Sequence, residues 1–188
     1  MVNRLAAIVL VLGTATAATD ADAMNTGRTM ENNRTAIMRL VVREASNMGI
    51  SAPLALAVAK VESDFNPRAR SHKGARGVMQ IMPKTASSEY GIAAGLLWNA
   101  RINVRLGLHF LGRLLDRYQG RVDLALSHYN GGSRVGRPPN ARVIPATRKY
   151  VDKVQHYRRK YRRQLYEQES ILGHRVVGEP NSRRGQKL

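Results

Sequence analysis

The chain contains no cysteine. That excludes disulfides, thiolate metal sites, a thiol nucleophile and an acylated-cysteine anchor. Acidic residues are scarce, 13 against 31 lysines and arginines, for a net charge of +18. Such a surplus calls for a polyanionic partner. Nucleic acid, an anionic membrane and a carboxylate-bearing wall polymer all qualify, so charge alone does not choose. Long apolar runs are also missing: Leu5 to Leu12 is too short to cross a bilayer and stay there. No glycine motif has the form of a phosphate cradle. His72, His109, His128, His156 and His174 lack metal-ligand spacing, so neither a metal nor another cofactor is expected.

What the chain does have is 188 residues, 43% of them hydrophobic, enough for one domain with a core. Residues 1–23 have the form of a secretory signal peptide. Arg4 supplies the positive region, the apolar run follows, and Ala15-Thr16-Ala17 and Ala21-Asp22-Ala23 both resemble cleavage sites. The expected location is therefore outside the cytoplasm, in the periplasm, without a stable membrane anchor. This also argues against nucleic acid as partner. Residues 24–34 are polar and are expected to be a linker. Residues 35–165 should form the functional domain, and residues 166–188 a flexible basic tail.

Helical periodicity dominates the domain. A first helix runs from Thr35 to a stop at Gly49. A second opens at Ser51-Ala52-Pro53 and ends before Asn66-Pro67. Residues 68–80 hold Gly74 and Gly77 without a sustained period and predict a loop or small β-hairpin. Further helices are expected from Pro83 to Tyr90, from Ala100 to Tyr118, from Val122 to Tyr129, and from about Thr147 onward. The fold class is mainly α, with a small β element beside a cleft.

One acidic residue stands out. Glu62 falls in the last turn of the second helix, where the negative end of the helix dipole disfavours a carboxylate. Burial among Val61, Met79 and Met82 pushes the same way. A carboxylic acid kept protonated near neutral pH is suited to general acid catalysis of glycosidic cleavage. Asp64 lies two residues on and diverges from Glu62 if the helix persists.

The surroundings of Glu62 resemble a known family. Glu62-Ser63, Phe65-Asn66-Pro67, Ala69, Ser71, Gly74-Ala75, Gly77, Met79-Gln80-Ile81-Met82-Pro83 and Thr85-Ala86 follow the signature of the soluble lytic transglycosylases (SLT), relatives of goose-type lysozyme. Asn103 and Gly107, Tyr129-Asn130-Gly131-Gly132, and Thr147-Arg148-Lys149-Tyr150-Val151 resemble its later blocks. The resemblance spans roughly residues 50–155.

It implies a lysozyme-like fold and cleavage of the β-1,4 bond between N-acetylmuramic acid and N-acetylglucosamine in peptidoglycan, leaving a 1,6-anhydromuramoyl end. Glu62 is then the single acid and base, and no second carboxylate is needed. Ser71 is expected to orient the N-acetyl group and Gln80 to bond sugar hydroxyls or carbonyls. Met82 packs on the acid or a sugar face, or else in the core. Tyr129 is expected to hydrogen-bond Glu62. Asn130 contacts substrate or caps its turn, and Tyr150 lines the cleft or is structural. The alternatives are a hydrolytic muramidase on the same fold and a non-catalytic wall-binding protein. The compact size is similar to that of enzymes serving envelope-spanning secretion, conjugation or flagellar assemblies. The basic tail is either a solvated extension or a docking segment.

Overall fold

The computed structural model describes residues 20–177. The signal-peptide reading falls almost wholly outside them. By contacts the chain divides into a unit ending at Asn33 and a larger unit beginning at Arg34. The larger unit holds the core and the candidate site.

Among the described residues six α-helices form the architecture: α1 Asp20–Asn47, α2 Ala52–Ser63, α3 Pro83–Tyr90, α4 Ala100–Arg117, α5 Val122–Gly131 and α6 Arg148–Val177. Two expectations need correction. Residues 24–34, expected as a linker, lie within α1. They contain no proline, and a single mid-helix glycine, Gly27, costs only about 1 kcal/mol. Residues 166–177 continue α6 instead of forming a flexible tail. Gln164, Leu165, Glu167 and Gln168 favour helix, the one glycine within the segment, Gly173, costs only about 1 kcal/mol, and the proline, Pro180, comes later in the sequence.

The most hydrophobic helix, α2, is buried from Leu54 to Ala59 on all sides. Its closest partner is α6, whose Val151, Val154 and Tyr161 are buried against the same core. Val104, Leu108 and Leu111 of α4 and Leu126 of α5 complete it. Helix α6 thus packs along α2, the helix that carries Glu62 near its end.

The expected β-hairpin reduces to two isolated bridges, Arg70 with Arg76 and Arg76 with Ile81. The described residues contain no strand. The backbone keeps turning at Gly74 (φ +87°), Gly77 (φ +75°) and Gln80 (φ +49°), so no extended run develops. His128 is buried and packs against Phe110 and Tyr118. Tyr118 gives its hydroxyl proton to Gly136 O at 3.0 Å, so the Tyr118 hydroxyl oxygen accepts from His128 Nδ1 at 2.7 Å. Burial and the Arg117 charge hold the imidazole below its usual pKa.

Candidate active site

The site is built around the end of α2. Asp64 caps the helix in the left-handed conformation (φ 53°, ψ 39°), and its N–H bonds back to Lys60 O at 3.1 Å. Phe65 follows at φ 64°. Two successive non-glycine residues in this region are strained. Tertiary contacts hold them there. Phe65 is buried, meets Tyr161 edge-on at 6.3 Å, and lies under the Arg34 guanidinium at 5.1 Å. Asp64 is anchored by Arg34 at 2.8 Å and Lys60 at 2.7 Å. Helix α2 therefore stops earlier than the Asn66-Pro67 signal suggested, and the turn leaves Glu62 in its final turn.

Glu62 is half-buried, and the Tyr150 hydroxyl donates to its Oε1 at 2.6 Å. Burial raises its pKa from 4.5 to about 7, against the opposing pull of that hydrogen bond. Tyr150 is itself pushed well above its ordinary value, first by burial and then by Glu62, so it remains a donor. Asp64 behaves differently. Its slight burial works toward a higher pKa, but Lys60 and Arg34 outweigh it and hold the carboxyl below its usual range. Its side chain is 60% exposed and engaged with two cations.

Tyr129 does not bond Glu62 as the sequence reading expected. Its hydroxyl donates to Met79 O at 2.9 Å. The tyrosine on the acid is Tyr150, delivered by the first turn of α6. Residues around Thr147 fix that turn: Thr147 Oγ1 lies 2.7 Å from Ser127 Oγ and donates to Ile144 O at 2.8 Å, while Ile144 N–H donates to Ser127 Oγ at 2.9 Å. Gly131 fits beneath them, because a Cβ there would lie 2.7 Å from Thr147 Cγ2.

The loop from Asn66 to Met82 packs over this helix end. Ser63, next to Glu62, donates its hydroxyl to Val78 O at 2.8 Å. Asn103 is the central support. It is fully buried, accepts from Met79 N–H at 2.8 Å, and donates to Arg76 O at 2.8 Å and Leu97 O at 3.1 Å. A Cβ on Gly77 would lie 2.5 Å from Asn103 Nδ2, and one on Gly107 would lie 2.4 Å from Met79 Cβ. The spacing of Asn103 and Gly107 is therefore explained: they lie one turn apart on the same face of α4, and that face must be small or amide-bearing there for the loop to seat. Sequence reasoning noticed these positions without assigning them this task.

The remaining candidates differ in what they leave free. Ser71 Oγ accepts from Ala75 N–H at 3.0 Å, which tightens the loop and leaves its own proton to donate. Gln80 spends both Nε2 protons on Ala69 O at 3.1 Å and Gly77 O at 2.9 Å, leaving Oε1. Met82 is 39% exposed at the start of α3 rather than in the core. Asn130 is exposed on the last turn of α5. Trp98 is half-buried with the Arg76 guanidinium over its ring at 5.4 Å. A cavity of about 620 Å³ lies elsewhere, lined by Phe110, Arg113, Arg117 and His128; Glu62 and its loop contribute nothing to its walls.

A helical domain presenting one neutral-leaning carboxyl beside a loop of small and amide residues is an arrangement found in lysozyme-like folds. Residues 39–148 match the transglycosylase SLT domain, and the chain belongs to that family. It is 28% identical over 154 residues to the soluble lytic murein transglycosylase of Salmonella typhimurium, covering 71% of this chain and 24% of that protein. It is 34% identical over 109 residues to the membrane-bound lytic murein transglycosylase C of Glaesserella parasuis, covering 50% of this chain and 30% of that one. Among solved structures it resembles an inactive Glu-to-Gln mutant of lytic transglycosylase Slt from Pseudomonas aeruginosa. The TM-score is 0.59 at 31% identity, over 68% of this chain and 24% of that one. The chain thus spans about a quarter to a third of the length of these relatives. Among the described residues no helix is long and apolar enough to cross a membrane.

Proposed function

We propose that this chain is an exported peptidoglycan lytic transglycosylase in which Glu62 is the sole acid and base. The observation that carries this reading is the Glu62 carboxyl, with a pKa of about 7 and a tyrosine hydroxyl 2.6 Å away. A group that must first give and then take a proton works best when its pKa lies near the working pH.

In the first step Glu62 protonates the glycosidic oxygen between muramoyl and glucosaminyl residues, and the C1–O bond breaks. The substrate's N-acetyl oxygen stabilises C1 as an oxazolinium-like species. In the second step the muramoyl 6-hydroxyl attacks C1 while Glu62, now a carboxylate, accepts its proton. A 1,6-anhydro ring forms and no water is consumed. Tyr150 stabilises the carboxylate between the two steps. Ser71 and Gln80, with one proton and one carbonyl oxygen free, are the groups we assign to the sugar's amide and hydroxyls. Met82 and Asn130 are assigned to the exposed rim. The engagement of Asp64 with Arg34 and Lys60 supports intramolecular attack over hydrolysis, because the paired two-carboxylate scheme requires a second free carboxylate. The names of the relatives support murein as the polymer.

The leader-like residues 1–23 support export to the periplasm, and the compact domain suits local wall opening for an envelope-spanning assembly. The test is product analysis on purified peptidoglycan. Wild type is expected to release anhydromuramoyl ends, and Glu62→Gln to lose at least about a hundredfold in rate while staying folded. Reducing muramoyl ends would establish hydrolysis instead, and binding without release would establish a non-catalytic wall protein.

A further inference from the structure

Helix α6 has two unlike faces. Val151, Val154 and Tyr161 are buried, with Tyr157 and Leu165 packed beside them. At 100° per residue these side chains share one side of the helix. The opposite side presents Arg148, Lys149, Lys153, Arg159, Lys160 and Arg163, all exposed. Arg162 is exposed at the edge and Arg158 is half-buried. Asp152 is the one acidic residue between 148 and 163, against these eight basic ones. Among the described residues none of the eight makes a salt bridge. Basic groups elsewhere do find carboxylates: Arg34 and Lys60 pair with Asp64, Arg113 with Glu89, and Arg121 with Asp123.

Such a face costs stability. Lys149 and Lys153, Arg158 and Arg162, and Arg159 and Arg163 are like-charged pairs one turn apart, which destabilise a helix. The repulsion is relieved when a polyanion lies along the face. Neighbouring charges here sit within about one Debye length at physiological salt, so their attraction for one polymer adds. Two features narrow the polymer. Helices that lie in a bilayer surface insert an apolar face, but the apolar face of α6 is occupied by the core. Among the residues of α6 whose side chains are described, Tyr166 is the one large hydrophobic that is exposed. The same helix also places Tyr150 on Glu62. Arg163 lies thirteen residues further, about 20 Å along the axis.

We propose that the outer face of α6 docks the carboxylate-bearing peptide arms of the wall polymer and retains a strand while Glu62 acts on it. This rests on the functional reading above and adds to it a second contact, outside the cleft and electrostatic in kind.

The test uses the full chain with Arg159→Gln, Lys160→Gln and Arg163→Gln combined. Glutamine retains helix propensity, and relief of repulsion should leave the melting temperature equal or higher. Binding to insoluble peptidoglycan is measured by pelleting across a salt series in a Glu62→Gln background, so the polymer stays intact. Parallel arms use amidase-stripped glycan, anionic phospholipid vesicles and duplex DNA. The expected result is salt-sensitive binding to peptide-bearing wall, weakened roughly tenfold in the triple variant. With the natural Glu62 restored, the triple variant should cleave short soluble fragments at the wild-type rate. Equal pelleting of variant and parent overturns the proposal, as does equal binding to stripped glycan or tighter binding to vesicles or DNA. Failure of the functional reading looks different: intact binding with no cleavage by the wild-type chain.

Discussion

Tyr150→Phe isolates the one hydrogen bond on Glu62. The ring volume stays and the hydroxyl that donates to Oε1 at 2.6 Å is lost. A hydrogen bond to an ionised carboxylate contributes about 1.5–3 kcal/mol and one between neutral groups about 0.5–1.5 kcal/mol. The difference, about 1–1.5 kcal/mol, favours the charged form and corresponds to about one pH unit. With that pull removed, burial acts alone and Glu62 holds its proton to higher pH. On the proposed mechanism the free enzyme must be protonated to begin the reaction, so kcat/KM should fall as pH rises through the Glu62 pKa, about 7 in the wild type. In Tyr150→Phe that alkaline limb should move up by about one unit. The rate on the acidic plateau should also drop, because the carboxyl has lost the group that fixes its rotamer. The assay is release of soluble products across a pH series spanning neutrality. Tyr129→Phe is the control: its hydroxyl goes to Met79 O, so the limb should stay in place. An unmoved limb in Tyr150→Phe, or one shifted downward, refutes the assignment.

Glu62 also makes the fold pH-sensitive. Its folded pKa is raised, so between 4.5 and about 7 the native state binds more protons than the unfolded chain, and stability falls as pH rises. The penalty above neutrality is at most about 3 kcal/mol. Thermal melts should therefore show Glu62→Gln more stable than wild type at alkaline pH, with the gap closing toward pH values near the ordinary carboxylate range. Asn103→Ala strands Met79 N–H, Arg76 O and Leu97 O in a buried site. Urea unfolding should register a loss of about 3–4 kcal/mol. Gly77→Ala combines a positive φ with a Cβ 2.5 Å from Asn103 Nδ2, whereas Gly74→Ala meets nothing within 4 Å. The first should cost about 2 kcal/mol or more and the second about 1 kcal/mol, measured by the same unfolding curves.

The helices were legible because their signals are local. Pro53 and Pro83 sit at helix starts, Gly49 and Gly120 take positive φ at helix ends, and apolar spacing marks α4. The end of α2 was less legible, because Asp64 and Phe65 are held in the left-handed region by Lys60, which is local, and by Arg34 and Tyr161, which are distant in sequence. The same limit explains the exchange of tyrosines. Tyr129 and Tyr150 both stand in blocks of the family pattern, and nothing local says which reaches Glu62. The packing of α6 on α2, fixed through Thr147 and Ser127, decides it. Residues 68–80 read in sequence as a loop or a small β-hairpin; the bridges there are isolated, and the support of the loop, Asn103, lies more than twenty residues downstream.

These distant supports converge on one quantity, the proton affinity of Glu62. On the proposed mechanism, burial alone would hold the acid neutral too firmly for it to become a base in the second step. A hydroxyl alone, in an open site, would leave it ionised and unable to start the first. Tyr150 supplies the hydrogen bond from α6, and the Asn103-braced loop is tied to the residue beside the acid through Ser63 and Val78 O. The consequence is separable: loosening the loop by Gly77→Ala should lower the Glu62 pKa by admitting water, while removing the Tyr150 hydroxyl should raise it. Opposite displacements of the alkaline limb in the two variants would be the mark of an acid tuned from two sides, and displacement in the same direction would contradict it.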